Sequence, residues 1–412
     1  MPNHHQFHLL SFEGPDRYAR AGGIATRITG LADALACGGG ETHLWFVGDP
    51  ELAGNEHHGL LHLHRWCQWI SRNHPGGVYD GEQGKCVDYA TSLPPFLLQH
   101  QLLPALARGL RPVVLAEEWH TVGAVLHLDW LLRRAGVRDQ VRILWNANNT
   151  FGFEGIDWPR LNAAASIVTV SRYMKHRMWA FGVDPLVIPN GLGPENFLEP
   201  DREAVSELRR RFKERVLLTK VARWDPDKRW LLAVDIIAAL KRRGLRPLLV
   251  ARGGVEAHEA EVVARARAVG LSLIERASAQ PGPRGLLDAL EGVHGADVVL
   301  LRSHLNPDAR SVLFRGADAV LANSGHEPFG LVGLETMAVG GIACTGASGE
   351  DYAVDGENAL VLQRNDPEEF GALFTRLRSA PRLDEELRSS GVVTARTYAW
   401  SRIVDRTLLP RI

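Results

Sequence analysis

Several signals are missing from this sequence, and each absence narrows the reading. No apolar run approaches the ~20 residues that a membrane-spanning helix requires. The start, Met1-Pro2-Asn3-His4-His5, lacks the charged and apolar regions of a secretory signal. Cysteine is scarce: Cys37, Cys67, Cys86 and Cys344 are widely spaced and form no CxxC pair. That pattern suggests a reducing, cytoplasmic setting and argues against structural zinc. The formal net charge is −1, so nothing overall attracts nucleic acid or an anionic membrane. Fixed-period repeats and low-complexity tracts are absent. So is a complete G-x-G-x-x-G, which leaves a dinucleotide reading weak.

What is present is an ordinary globular composition, 45% hydrophobic and 23% charged, over 412 residues, enough for two domains with separate cores. Phe7 to Phe12 reads as a strand, Gly22-Gly23 opens a helix that ends at Gly38-Gly39-Gly40, and Thr42 to Val47 is the next strand. This is a doubly wound opening. Gly22 and Gly23 serve either a bound anion or a plain helix-start turn. Residues 48 to 95 are less regular. His62 and His64 share one face of a strand there, a spacing open to metal, with His57 and His58 nearby. No carboxylate or cysteine stands at ligand spacing, so these histidines, like Trp66 and Trp69, are expected to pack.

A helix from about Pro95 to Arg108 leads to the strand Pro112 to Ala116 and then to Glu117-Glu118-Trp119-His120-Thr121. Open α/β sheets bind ligands just past the carboxyl ends of their strands. His120 is therefore a candidate site residue, with capping of the following helix as the alternative. The strand Val141 to Trp145 ends in Asn146-Ala147-Asn148-Asn149, which offers amide contacts to a polyol or, equally, turn residues. After Val187-Ile188-Pro189-Asn190-Gly191 a linker begins, and the strand–helix rhythm restarts at Val216. Two α/β halves in series imply two open parallel sheets facing a cleft.

The second half contains the most informative stretch. The apolar run Asp318 to Ala322 reads as a buried strand. Asn323-Ser324-Gly325-His326-Glu327-Pro328-Phe329 follows, and a helix begins near Gly330. Strand, glycine-bearing loop and helix start together form an anion site, because the first helical N–H groups have no partner and the dipole favours negative charge. Glu327 and Glu335 are costly beside a phosphate unless each faces sugar hydroxyls.

Taken together these residues resemble retaining glycosyltransferases of the GT-B fold, family 4. Arg223 and Lys228 are similar to that family's Arg/Lys pair, and His326-Glu327-Pro328-Phe329-Gly330-Leu331 with Glu335 is similar to its paired-glutamate motif. Val187 to Gly191, Ser171-Arg172-Tyr173-Met174-Lys175 and Tyr398-Ala399-Trp400-Ser401 resemble its interdomain turn, the helix start upstream and the helix that crosses back. The resemblance implies Rossmann-like domains at 1–195 (acceptor) and 196–390 (donor), with a crossing helix at 391–412.

The resemblance also implies the chemistry. A hexose would pass from a nucleotide-diphosphate sugar to a sugar, glucan or small polyol acceptor, with retention and with no metal or other cofactor. Retention would use front-face attack, with the leaving phosphate as base. Arg223, Lys228 and the N–H groups of Phe329, Gly330 and Leu331 would hold the diphosphate, with Gly22 and Gly23 adding to the cradle. Glu335 would take the ribose hydroxyls, Glu327 the donor sugar, and Arg302 would stand beside the base. The family's first-domain histidine is missing, and Asn148, Asn149 or His120 would replace it. Uracil, guanine and adenine all remain open for the base, and a homodimer is left open. Rival readings are a phosphorylase, a nucleotide-sugar epimerase, and a nucleotide-sugar binder without turnover.

Overall fold

The computed structural model describes residues 4–325, 327–346, 349 and 351–412. The chain divides into two compact units, Met1–Gly193 with Ala399–Ile412, and Pro194–Tyr398. Residues 391–398, assigned from the sequence to the terminal segment, thus pack within the second unit.

The first unit is built on an eight-stranded sheet, ordered β3-β4-β2-β1-β5-β6-β7-β8. Its strands are β1 (His5–Leu10), β2 (Glu41–Val47), β3 (Asn55–His58), β4 (Leu61–Trp66), β5 (Arg111–Glu117), β6 (Arg142–Ala147), β7 (Ser166–Thr169) and β8 (Leu186–Val187). All pairings are parallel except the hairpin between β3 and β4. Strand segments such as Trp45–Val47 and Ile143–Trp145 are apolar on both faces because helices cover both sides of a parallel sheet.

The second unit repeats the plan with seven strands, ordered β11-β12-β10-β9-β13-β14-β15. These are β9 (Val216–Val221), β10 (Pro247–Arg252), β11 (Leu273–Arg276), β12 (Val298–Leu301), β13 (Ala319–Ala322), β14 (Ala343–Thr345) and β15 (Leu360–Val361). One apolar layer sets Ile236, Ile237 and Phe374 against Leu218 and Leu249. The other sets Leu208, Leu286 and Leu313 against Leu217 and Val250. Among the described residues, no helix is long and apolar enough to cross a membrane.

Two segments differ from the pattern reading. Residues 82–97 form a helix that runs through Pro94 and Pro95 and continues as a wider π turn at Leu98–Leu102. The two prolines read as a helix start near residue 95, but the Ala90 carbonyl that Pro94 cannot serve lies 2.8 Å from His127 Nδ1 instead. The preceding polar turns escaped notice because their anchor is Lys85, which is fully buried and donates to Tyr18 Oη (2.7 Å) and to the carbonyls of Gly77 (3.0 Å) and Val78 (3.1 Å). The chain end is likewise not one regular helix: Trp400–Ile403 is α-helical and Val404–Leu408 is again π-helical.

Trp400 explains two of the motifs. A Cβ on Gly30 would lie 2.4 Å from its Nε1, and one on Gly191 2.5 Å from its Cδ2, so both glycines make room for the indole. Arg27 lies over the same ring at 5.5 Å, while its Nη1 donates to Asn190 Oδ1 at 2.6 Å. The Pro189-Asn190-Gly191 turn and the Ala399–Ile412 tail are thus locked onto the helix Gly23–Cys37.

Candidate active site

In the second unit, the loops after β9 and β13 are stitched together. Gly325 N–H donates to Asp227 O at 2.7 Å. Lys228 and Glu327 form an ion pair, with side chains 15% and 24% exposed. Arg223 is exposed, and its carbonyl holds Trp230 Nε1 at 2.7 Å. Asp225 Oδ1 accepts from Asp227 N–H at 2.9 Å, so the Asp-Pro-Asp spelling makes a turn rather than a paired ligand set.

The helix Leu331–Ala338 starts one residue later than expected. Gly330 takes φ +78°, a left-handed conformation open to glycine at low cost. Among the described residues, no side chain caps its first N–H groups. Phe329 is buried against Tyr352 and Tyr398, both at 5.8 Å between ring centroids, and the Tyr352 hydroxyl donates to Gly330 O. These aromatics fix the direction in which the helix start points. His326 lies outside the described residues.

Glu335 sits on this helix 3.3 Å from Arg310 and lines a cavity of about 420 Å³ with Pro283, Pro307 and Ser311. Burial raises its carboxyl above the usual range, and Arg310 opposes that shift. Arg302, expected beside a base, is already held by two carboxylates. Its Nη1 donates to Glu259 Oε2 at 2.9 Å and its Nε to Glu275 Oε2 at 3.0 Å. The ion pairs commit its guanidinium, so a base contact would have to come from elsewhere on Arg302 or from its neighbours.

Two cations here escaped the sequence reading. Arg229 has φ +52°, and a Cβ on Gly325 would lie 3.0 Å from its Nε, which sets the guanidinium against the loop. Lys220 is fully buried on β9, donating to Leu321 O (3.0 Å) and Asn323 Oδ1 (2.8 Å) beneath the loop. Burial pulls its ammonium down to about 7. Only its place inside an apolar strand, Val216–Val221, marked it as unusual.

In the first unit, the carboxyl ends of β5 and β6 carry a dense polar knot. Glu117 Oε2 accepts from Asn146 Nδ2 and Asn148 Nδ2, both at 2.7 Å, and Oε1 lies 3.3 Å from Arg27 Nε. Asn148 N–H donates to Glu118 Oε1 at 2.6 Å. Glu118 has φ +68°, and burial lifts its carboxyl to about 8. Asn148 is therefore tied to two carboxylates, and Asn149 closes a turn by accepting from Phe151 N–H at 2.7 Å. His120 stacks on Phe12 and Trp119 and bonds Glu82 Oε1 through Nε2 at 2.7 Å. Its Nδ1 is buried without a partner among the described residues. Burial lowers its pKa, against the pull of Glu82. Trp66 packs on Trp45 as expected, whereas Trp69 is exposed.

The expected open cradle needs correction at Gly22. Glu13 Oε2 already accepts from the N–H groups of Gly22 (2.9 Å) and Ala25 (3.1 Å). The unpaired N–H groups of a helix start attract the nearest buried carboxylate as readily as a phosphate. Glu13 is also bonded by Tyr79 Oη at 2.6 Å.

Two parallel sheets of this topology, with the polar loops at their carboxyl edges, define the GT-B class. Solved structures share the fold across the whole chain. A sucrose-phosphate synthase from Thermosynechococcus elongatus matches with a TM-score of 0.66 at 17% identity, over 98% of both chains. An α,α-trehalose-phosphate synthase from Burkholderia xenovorans matches with a TM-score of 0.62 at 16% identity, over 98% of this chain and 99% of that one.

Residues 201–392 match the family model described as glycosyl transferases group 1. A D-inositol 3-phosphate glycosyltransferase from Thermomonospora curvata is 34% identical over 133 residues, 32% of this chain and 31% of that protein. One from Actinosynnema mirum is 28% identical over 235 residues, 55% of this chain and 52% of that protein. The aligned stretches thus span about half the relatives' length or less. The matched residues lie within the second unit, Pro194–Tyr398.

Proposed function

We propose that this chain is a retaining, metal-independent transferase that moves a hexose from a nucleotide-diphosphate sugar to a small polyol, sugar or glucan acceptor. The donor is assigned to the second unit and the acceptor to the first. The observation that carries the reading is the junction of the 223–229 and 323–330 loops. It gathers Lys228, Arg229, Glu327 and the uncapped start of the Leu331–Ala338 helix into one small region.

Departure of a nucleotide diphosphate develops about two negative charges, which preorganised cations and N–H groups can stabilise. Lys228 and Arg223 take the diphosphate with the N–H groups of Phe329, Gly330 and Leu331. Arg229, already against Gly325, adds to the field. Glu335 takes the ribose hydroxyls at the wall of its cavity, and Glu327 takes the donor sugar. The acceptor attacks from the face the leaving group vacates, and the leaving phosphate removes its proton. His120 is the first-unit candidate for a contact near the anomeric carbon, since its Nδ1 has lone-pair or donor capacity unspent, whereas Asn148 is tied to Glu117 and Glu118 and Asn149 Oδ1 to the Phe151 N–H. The chain's similarity to D-inositol 3-phosphate glycosyltransferases supports a small polyol phosphate as acceptor.

A thermal-shift panel of UDP, GDP, ADP and TDP with their glucose and mannose forms tests the donor site. One diphosphate should raise the unfolding midpoint, by ~2.7 kcal/mol of stabilisation at a hundredfold excess over Kd. Absence of stabilisation by every member would overturn the reading. Transfer should survive chelating agents.

A further inference from the structure

At the amino-terminal end of the first unit's strands, four histidines fall in one register row. His8 pairs with His43 across β1 and β2, His43 with His62 across β2 and β4, and His62 with His57 across the hairpin. The rings follow the row: His8 and His43 stack at 4.9 Å, and His43 and His62 at 4.6 Å. The pattern read from the sequence lacked a carboxylate for these histidines. Glu41 lies two residues before His43 on the same face of β2, and parallel pairing sets that pair beside His62 on β4. One carboxylate oxygen of Glu41 and one ring nitrogen each of His43 and His62 lie within 4.8 Å of one another.

We propose that Glu41, His43 and His62 form a binding site for one divalent late first-row transition ion such as Zn²⁺. Two imidazoles and a carboxylate form a donor set suited to such an ion, with a remaining position for solvent. Donor atoms around a tetrahedral zinc stand about 3.4 Å apart, so small side-chain rotations close the set.

The surrounding hydrogen bonds favour it. Trp45 Nε1–H donates to His8 Nδ1 at 3.3 Å, so His8 donates from Nε2 to Gln6 Oε1 at 3.0 Å. That orients the amide so that Gln6 Nε2 donates to Glu41 Oε1 at 2.7 Å. On the other side, His64 Nδ1–H donates to Asn55 Oδ1 at 2.7 Å, which makes His64 Nε2 the acceptor for His43 Nδ1–H at 2.9 Å. His43 Nε2 is then an acceptor, 3.4 Å from Gln6 Nε2 and 3.2 Å from Glu41 Oε1. The Gln6 amide thus bridges both acceptors, and an ion seated between Glu41 and His43 would take over the longer of its two bonds. If the Asn55 amide is turned, the chain of protons reverses, and the ion displaces the His43 Nε2 proton instead.

The bond from His43 to His64 is the outer-shell contact that typically orients a metal-binding imidazole. Arg108 Nη2 straddles the Glu41 carboxylate, 3.2 Å from Oε2 and 3.4 Å from Oε1, and holds it in place. His57 Nδ1 stands 2.5 Å from His62 Nδ1, holding the His62 ring in place. Glu41 and His62 are half-buried, which leaves the ion a way in. The site lies at the opposite ends of the strands from Glu117 and Asn148. The ion would clamp β2 to β4 and take no part in transfer.

The test uses the full chain, stripped of metal and titrated with Zn²⁺ against a chromophoric chelator, and with Co²⁺ by visible absorption. Wild type should bind one ion per chain and show the d–d bands of a four- or five-coordinate nitrogen/oxygen site. Glu41→Gln and His62→Gln should each weaken binding at least tenfold, with circular dichroism unchanged. His58→Gln, an exposed neighbour outside the triad, should bind as wild type. Wild-type affinity in both triad variants, equal loss in His58→Gln, or the absence of stoichiometric binding would overturn the proposal.

Discussion

Lys228 and Glu327 are paired in the unliganded protein, yet the proposed reaction needs each for a different part of the donor. A diphosphate arriving at Lys228 must compete with the Glu327 carboxylate. The side chains are 15% and 24% exposed, so solvent screens the pair only in part, and it is worth about 1 kcal/mol, the upper end for partly exposed pairs. Glu327→Gln removes the competitor and should tighten binding of the free nucleotide diphosphate up to about fivefold. The same variant should cut transfer about 100-fold or more, since its carboxylate no longer meets the donor sugar in the transition state. Lys228→Met should act in the opposite sense on the nucleotide. Losing one charge-assisted contact costs ~2 kcal/mol, about thirtyfold in Kd. The double variant should resemble Lys228→Met alone, because the competition exists only when both partners are present. Isothermal titration with the diphosphate selected by the panel measures all four proteins, and single-turnover transfer measures the chemistry. Equal weakening of nucleotide binding in Glu327→Gln and Lys228→Met would refute the division of roles.

Glu117→Gln should destabilise the first unit by ~3 kcal/mol in urea unfolding, because it leaves Arg27 buried without its counter-ion; a loss under ~1 kcal/mol would show the pair to be dispensable. Lys220 gives a pH signature. Its folded pKa, about 7, lies below the unfolded value, so the cost of burying its charge is fully present below pH 7. Stability should therefore rise with pH between about 7 and 10.5, by at most about 1.4 kcal/mol per unit. Urea midpoints of wild type and Lys220→Met from pH 6 to 10 would show a widening gap in favour of wild type, and a constant gap would contradict the assignment.

Much of the architecture was legible from local pattern. Apolar runs such as Val298–Leu301 and Ala319–Ala322 marked buried strands because a parallel sheet covered on both faces tolerates no polar alternation. The glycine-bearing loop before Leu331 marked a helix start, because a left-handed residue and uncapped N–H groups are local properties. The order of Arg223, Lys228, Glu327 and Glu335 carried the resemblance to family 4 glycosyltransferases.

Tertiary structure alone decided the rest, since it concerned which charges meet. The N–H groups of Gly22 and Ala25 are served by Glu13, nine residues before Gly22, and Arg302 is consumed by Glu259 and Glu275. Asn148 turned out to hold Glu117, and a lysine hidden in β9 supports Asn323. Glu41, His43 and His62 converge because the register of neighbouring strands, which no local spacing encodes, sets them side by side. Periodicity reports the face a residue occupies; only the assembled sheet determines which residue stands opposite it.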